Sequence, residues 1–272
     1  MKKILLLSFL LLVGCSQNSV ETRLNIIDKL NFNKFDKKIY STSYFNIYSL
    51  EKIKNDGKLI IYIEGDGMSW VDRFTISSDP TPNNPTAFKS AFKLALIDEN
   101  ENVVYLARPC QFAWSNNCNK DTWTLSQYSN SVLSGYKSII EELSMKHKEI
   151  HLVGYSGGAG IAMYLGSINN QSISSIRTVA GNINHNALTK LLKITNLRNS
   201  LNFYPIIKKT NKIPQIHYYG LEDKVVPNKL QISYKNQNAD NNCINISPVK
   251  AAHVKGWETF WINNSNLLPK CN

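Results

Sequence analysis

At positions 150–158 the chain reads Ile150-His151-Leu152-Val153-Gly154-Tyr155-Ser156-Gly157-Gly158. The run 150–155 is almost entirely apolar, which is typical of a strand buried on both faces of a sheet. Small and apolar residues follow at once and predict a helix over 157–167. A serine between such a strand and such a helix, with Gly154 and Gly158 beside it, indicates a sharp, strained turn that exposes the hydroxyl. Ser156 is therefore a candidate nucleophile.

On both sides of this stretch, short β-rich runs alternate with amphipathic stretches, as in a largely parallel sheet flanked by helices. The other predicted strands lie at 39–50, 58–63, 103–107, 176–180, 215–219 and 244–249. Further helices are predicted at 86–97 and 125–147, and the segment 184–212 is helical or irregular. That segment is too short for a large cap domain. We expect one α/β domain over residues 37–272.

Two side chains follow later strands where the partners of a nucleophilic serine are expected. Asp223 lies in the loop after 215–219, and His253 lies just after 244–249. In that arrangement His253 accepts the serine proton, and the acid accepts the other imidazole N–H. Glu222 is the immediate competitor for the acid. The remaining histidines are less well placed and are interpreted as structural or surface residues: His147, His151, His185 and His217.

An oxyanion that forms during attack on a carbonyl needs two backbone N–H donors. The amide of Gly157, at the start of the predicted helix, is one candidate, because the positive end of the helix dipole favours negative charge. The second is expected from the loop after the strand 58–63, which reads Glu64-Gly65-Asp66-Gly67. We predict the amide of Asp66 for this role, with Gly67 as the next choice.

These motifs resemble the α/β-hydrolase superfamily from about residue 37 to the end of the chain. The resemblance implies a mostly parallel eight-stranded sheet with helices on both faces, and its GxxDxxVP loop implies Asp223 rather than Glu222 as the acid. Lipases of the superfamily carry histidine where this chain has Glu64. A narrower likeness, to a group of uncharacterised bacterial envelope lipoprotein α/β-hydrolases, is carried by motifs at 62–67, 79–82, 108–111, 180–182 and 253–257.

The N-terminus reads as a targeting segment. Lys2 and Lys3 precede an apolar run from Ile4 to Val13, which is too short for a comfortable membrane span. Leu12-Val13-Gly14-Cys15 resembles the lipobox of bacterial lipoproteins, which implies removal of residues 1–14 and acylation of Cys15. We expect residues 15–36 to form a lipid-anchored tether in the bacterial cell envelope, outside the cytoplasm. Ser16 favours the outer membrane if the cell has one.

Export also bears on the other cysteines, because an oxidising compartment permits disulfides. Cys110, Cys118, Cys243 and Cys271 allow three pairings, and proximity favours Cys110 with Cys118 and Cys243 with Cys271. Four free thiols are the alternative. Neither a metal-ligand cluster nor a cofactor motif is found in the sequence, so we expect no metal and no cofactor.

The formal net charge is +11, and removal of Lys2 and Lys3 would lower it by 2 to +9. The lysines are scattered, so a solvated basic surface is favoured over nucleic-acid binding.

The sequence predicts a serine hydrolase resembling carboxylesterases, acting on a small-molecule or lipid-like ester. Amidase or acyltransferase chemistry and an inactive scaffold used as a binding module are the alternatives; the sequence leaves the oligomeric state open. Five aromatic residues are candidates for the pocket wall or the core: Trp70, Phe112, Trp114, Trp123 and Trp257.

Overall fold

The computed structural model describes residues 20–31, 33–168 and 171–271. Within these ranges eight strands form, namely β1 (Asp36–Ser41), β2 (Asn46–Lys52), β3 (Leu59–Ile63), β4 (Asn102–Leu106), β5 (Ile150–Tyr155), β6 (Ile173–Val179), β7 (Gln215–Gly220) and β8 (Ile244–Val249). The α-helices of the same ranges are α1 (Val20–Asn31), α2 (Thr86–Ile97), α3 (Asn130–Lys146), α4 (Gly157–Ile168), α5 (His185–Leu192), α6 (Lys229–Asn236) and α7 (Trp257–Asn264). A 3₁₀ helix covers Ile207–Lys212.

The strands form one sheet in the order β1-β2-β4-β3-β5-β6-β7-β8. β1 and β2 are antiparallel to their neighbours, and the strands from β4 to β8 run parallel. Every residue of β3 and β5 is buried, because helices cover both faces of the sheet. The prediction of a mostly parallel sheet between two layers of helices is confirmed.

Side chains of the central strands alternate between two apolar cores. In β3, Ile61 and Ile63 face the core formed with α3 and α4, whereas Ile60 and Tyr62 face the core formed with α1, α2 and α7. Between β6 and β7 the chain forms only α5, the 3₁₀ helix and loops, so no large cap domain is present there, as predicted. The carboxyl ends of the parallel strands β3 and β5–β8 lie on one side of the domain, and we call this side the active-site edge.

The segment expected to be a tether is in part a packed helix. The predicted signal peptide and Cys15 lie outside the described residues, but residues 20–31 form α1. Ile27 is 1% exposed and joins the core of α2 and α7, and Arg23 is buried as well. The folded domain therefore begins before residue 37. The pattern missed α1 because a charged residue occupies one of its buried positions.

Disulfide bonds join Cys110 to Cys118 and Cys243 to Cys271, which is the pairing favoured by sequence proximity. The first closes the loop after β4, and the second attaches the C-terminal tail to the start of β8. Helix α3 begins five residues later than predicted, at 130 rather than 125, because Ser129 caps it by accepting a hydrogen bond from the Val132 amide. Among the described residues, no helix is both long and apolar enough to cross a membrane.

Candidate active site

Ser156 occupies the turn between β5 and α4 in a backbone conformation that serine rarely adopts. Its φ is 49°, in the left-handed region. The backbone is held from both sides, because the Ser156 amide donates to the Val179 carbonyl and the Asn182 amide donates to the Ser156 carbonyl, each at 2.9 Å. A side chain at Gly158 would collide with the carbonyl oxygens of Ile63 and Glu64. The glycine at that position thus permits the close approach that the predicted turn requires.

Three of the predicted site residues form a continuous hydrogen-bonded relay. Ser156 Oγ lies 2.9 Å from His253 Nε2, and His253 Nδ1 lies 2.8 Å from Asp223 Oδ2. The other carboxylate oxygen of Asp223 accepts from the amides of Val225 and Val226 at 2.8 and 2.9 Å. These bonds fix the orientation of the carboxylate, which in turn selects the imidazole tautomer with its proton on Nδ1.

His253 is also held through its own backbone. The hydroxyl of Tyr155 and the indole Nε1 of Trp257 donate to the His253 carbonyl at 2.8 and 3.0 Å. The Tyr155 and His253 rings lie with their centroids 5.5 Å apart. Trp257, a candidate for the pocket wall or the core, is buried in the core, where it positions the loop that carries His253. The hydrogen bond from Tyr155 to the His253 carbonyl could not be predicted from the sequence, in which Tyr155 is notable only as the neighbour of Ser156.

The competing candidates lie elsewhere. Glu222 is exposed, whereas the side chain of Asp223 is fully buried against His253. The four other histidines are buried and bonded to groups outside the relay: His147 to the Gly57 carbonyl, His151 to Ser175 and Glu149, His185 to the Leu201 carbonyl, and His217 to Thr178 and Gln215. Burial lowers the pKa of His217 to about 3, so this imidazole is neutral at physiological pH.

The two predicted oxyanion donors belong to backbone that adjoins Ser156. Gly157 is the first residue of α4, and the loop 64–67 passes so close that a Cβ on Gly65 would lie 3.0 Å from Ser156 Cβ. No acceptor within the described part of the chain takes a hydrogen bond from the Gly157 or Asp66 amide. Gly67 has a φ of 64° and packs against the Pro80 carbonyl, so it forms the turn of the loop.

Arg108 contacts residues on both sides of the candidate oxyanion region, which consists of the Gly157 amide and the loop 64–67. Its Nη1 donates to Asp66 Oδ1 and its Nη2 to the Gln127 carbonyl, each at 2.7 Å. The guanidinium also lies over the ring of Tyr128, whose hydroxyl donates to the Gly157 carbonyl at 3.1 Å. Burial lowers the pKa of Arg108, but the Asp66 carboxylate and the Tyr136 and Tyr128 hydroxyls together outweigh this effect, and the pKa is raised overall. The buried Arg108 guanidinium thus contacts Asp66 directly and Gly157 through Tyr128, and these are the two residues with the candidate oxyanion amides.

Glu64, the first residue of the loop 64–67, supports this loop from inside. Its Oε1 accepts from the Gly65 amide at 3.0 Å and from the Ala87 amide, in the first turn of α2, at 3.3 Å. The Tyr105 hydroxyl donates to Oε2 at 3.3 Å. Burial raises the pKa of Glu64 to about 7, although these hydrogen bonds oppose the shift. The sequence pattern around Glu64 does not indicate this supporting role.

The remaining aromatic candidates do not form one wall. Trp123 is buried and packs against Trp114, which is 53% exposed, at a centroid distance of 6.0 Å. Phe112 packs on the core at Tyr48. Trp70 is 46% exposed in the loop that follows the oxyanion region. Of these five aromatic residues, Trp257 is the one with a hydrogen bond to a residue of the relay, the His253 carbonyl.

No protein-family profile and no curated protein matches the chain. Among solved structures, Est1E from Butyrivibrio proteoclasticus is similar over 84% of this chain and 95% of its own, with 9% identity and a TM-score of 0.57. The esterase Pf2001 from Pyrococcus furiosus is similar over 86% and 89%, with 15% identity and a TM-score of 0.58. A thioesterase domain from the curacin biosynthetic pathway is similar over 85% and 96%, with 14% identity and a TM-score of 0.54. These likenesses show that the chain has the α/β-hydrolase fold.

Proposed function

We propose that the protein is a serine hydrolase that cleaves carboxylic esters through an acyl-enzyme. The relay Asp223–His253–Ser156, with its two distances below 3 Å and a strained serine turn, is the observation that carries the proposal. Reactive serines need a base within hydrogen-bond distance and a third group that orients the base. The esterases among the structural relatives support ester hydrolysis as the reaction class.

In the proposed reaction, His253 Nε2 takes the proton of Ser156 as Oγ attacks the ester carbonyl carbon. The Gly157 and Asp66 amides stabilise the oxyanion, and His253 then gives the proton to the departing alcohol. A water molecule, activated by the same imidazole, attacks the acyl-serine and releases the acid. Each oxyanion donor contributes about 10²- to 10³-fold to turnover in enzymes of this chemistry.

The proposed location is the bacterial envelope, with acylated Cys15 as the anchor. The support is the sequence at 12–15 and the motif likeness to envelope lipoprotein hydrolases. Mass spectrometry of the N-terminal peptide from the membrane fraction tests it. A peptide that begins at acylated Cys15 is expected, and a mature N-terminus at any other residue would contradict the anchor.

A fluorophosphonate probe tests the reaction class, because it labels only an activated serine. Wild type should be labelled at Ser156, and Ser156→Ala should not. Ser167→Ala is a suitable control, because Ser167 is also a buried serine and, among the described residues, its hydroxyl bonds only to the Tyr164 carbonyl. A folded wild-type protein that resists the probe would favour the inactive binding scaffold instead. Turnover of p-nitrophenyl esters against the matching anilides then separates esterase from amidase chemistry.

A further inference from the structure

A short hairpin with an apolar tip, residues 70–76, follows the loop 64–67. Trp70 pairs with Ile76 in an antiparallel bridge, and the Val71 amide donates to the Thr75 carbonyl at 2.8 Å. Phe74 is 85% exposed at the tip, and Trp70 and Val71 are 46% and 38% exposed. An aromatic side chain held this far into water loses the free energy that burial would supply. The hairpin therefore has the character of a contact surface.

In the hairpin and in two other loops of the active-site edge, an exposed apolar residue lies next to an exposed basic residue. Exposed apolar side chains flank the acid and follow the histidine of the relay, and each is next to an exposed cation. The three pairs are Arg73-Phe74, Lys224-Val225 and Val254-Lys255. Exposed Asp72 and Glu222 lie in two of the same loops, so these five charged residues together carry 3 − 2 = +1. Apolar groups that insert below lipid headgroups, beside cations that meet anionic phosphates, are typical of proteins that bind at membrane interfaces.

The chain enters the domain on this same side. Arg23, in the first turns of α1, donates to the carbonyls of Asp79 and Thr81 at 3.0 and 2.7 Å. The carbonyl between them, that of Pro80, accepts from the Met68 amide at the base of the hairpin. Farther along, Lys34 lies beside Glu99, after the end of α2 at the opposite edge of the sheet. Helix α1 thus begins at the active-site edge and runs away from it.

The length of chain before α1 limits how far this edge can lie from an anchor. Residues 16–19 separate Cys15 from the first residue of α1, Val20. A fully extended chain spans about 3.5 Å per residue, so Val20 can lie no more than about 18 Å from an acylated Cys15 at the bilayer surface. So short a connection keeps the side of the domain where α1 begins close to the membrane.

We propose that the active-site edge docks on the bilayer through the 70–76 hairpin, and that the substrates are acyl esters of lipids in an anionic phospholipid membrane. This inference rests on the proposed ester hydrolysis and names its substrate class. Ser156 Oγ forms the new ester bond to the lipid acyl carbon as the bond to the glycerol oxygen breaks. The deacylated lipid leaves with the proton from His253, and water releases the fatty acid.

The test uses the full-length chain, extracted from a bacterial membrane and reconstituted into vesicles of phosphatidylethanolamine and phosphatidylglycerol. Release of labelled oleate from diacylglycerol in the same vesicles is compared with turnover of p-nitrophenyl acetate in solution. Phe74→Asp should lower diacylglycerol turnover about tenfold and leave p-nitrophenyl acetate turnover unchanged, because the loss corresponds to one aromatic side chain that no longer inserts. Met145→Asp is the control, since Met145 is 71% exposed near the end of α3, at the opposite edge.

The outcomes separate the inference from the proposed function. Wild type without activity on p-nitrophenyl acetate would contradict ester hydrolysis itself. Active wild type with equal diacylglycerol turnover in Phe74→Asp and Met145→Asp would overturn docking through the hairpin. Lower turnover in phosphatidylcholine vesicles is expected from the net positive charge of these loops and of the whole chain, and equal turnover would overturn the preference for anionic lipid. A chain recovered without acylation at Cys15 would overturn the proposed orientation.

Discussion

Replacement of Glu64 by glutamine should change how the free energy of unfolding depends on pH. Glutamine keeps an oxygen that can accept from the Gly65 and Ala87 amides, but it cannot ionise. In the unfolded chain the Glu64 carboxyl has a pKa of about 4.5, and burial raises it to about 7 in the folded protein. The folded state therefore binds this proton more tightly than the unfolded state does.

The sign and size of the effect follow from that difference. The stability contributed by the neutral carboxyl is complete below pH 4.5 and is lost as the pH rises through 7, where the buried group ionises. A shift from 4.5 to about 7 corresponds to about 3 kcal/mol. The free energy of unfolding of Glu64→Gln, relative to wild type, should therefore increase by about 3 kcal/mol between pH 4.5 and pH 8.

Urea unfolding followed by tryptophan fluorescence measures this difference across the pH range. Glu222→Gln is the matched control, because Glu222 is exposed and its replacement should leave the pH dependence close to that of wild type. If the difference between Glu64→Gln and wild type stays constant with pH, burial does not raise the pKa of Glu64 and the reasoning is wrong.

Three further predictions concern the relay, the oxyanion region and the disulfide. Asp223→Asn should lower kcat for p-nitrophenyl esters by about 10⁴-fold, because the imidazole loses its tautomer selection, whereas Glu222→Gln should stay near wild type. Arg108→Gln should lower kcat by about 10- to 100-fold with little change in KM, since small displacements of the oxyanion amides weaken the transition state more than substrate binding; a change confined to KM would contradict this role. The double variant Cys110→Ser/Cys118→Ser should lower the free energy of unfolding by about 2 to 3 kcal/mol in urea melts, from the loop entropy of the unfolded chain; unchanged stability would contradict that origin.

Much of the sheet and the relay could be predicted from the sequence because both depend on local patterns. Buried strands are nearly continuous apolar runs, and the residues of the relay follow such runs at positions that parallel strands bring to one edge. Asp223 could be preferred to Glu222 only through the motif resemblance, although the two amides that fix its carboxylate come from the next three residues.

The supporting contacts could not be predicted because they join segments that are distant in sequence. Arg108 meets Asp66 across 42 residues, and Glu64 reaches the Ala87 amide across 23. Helix α1 was missed for a related reason, since Arg23 reads as a surface residue until the carbonyls of Asp79 and Thr81 are seen to bind it. Such partners depend on tertiary packing, which overrides local preference.

The left-handed backbone of Ser156 has a thermodynamic consequence for the whole domain. A residue with a Cβ in this conformation costs about 1 to 2 kcal/mol, and glycine would adopt it without that cost. A Ser156→Gly variant should therefore unfold at higher urea concentration than wild type while it loses the hydroxyl of the relay. One of the described positions at which the left-handed backbone lowers stability thus also carries the candidate nucleophile, so selection for thermostability alone would tend to remove the reactive group.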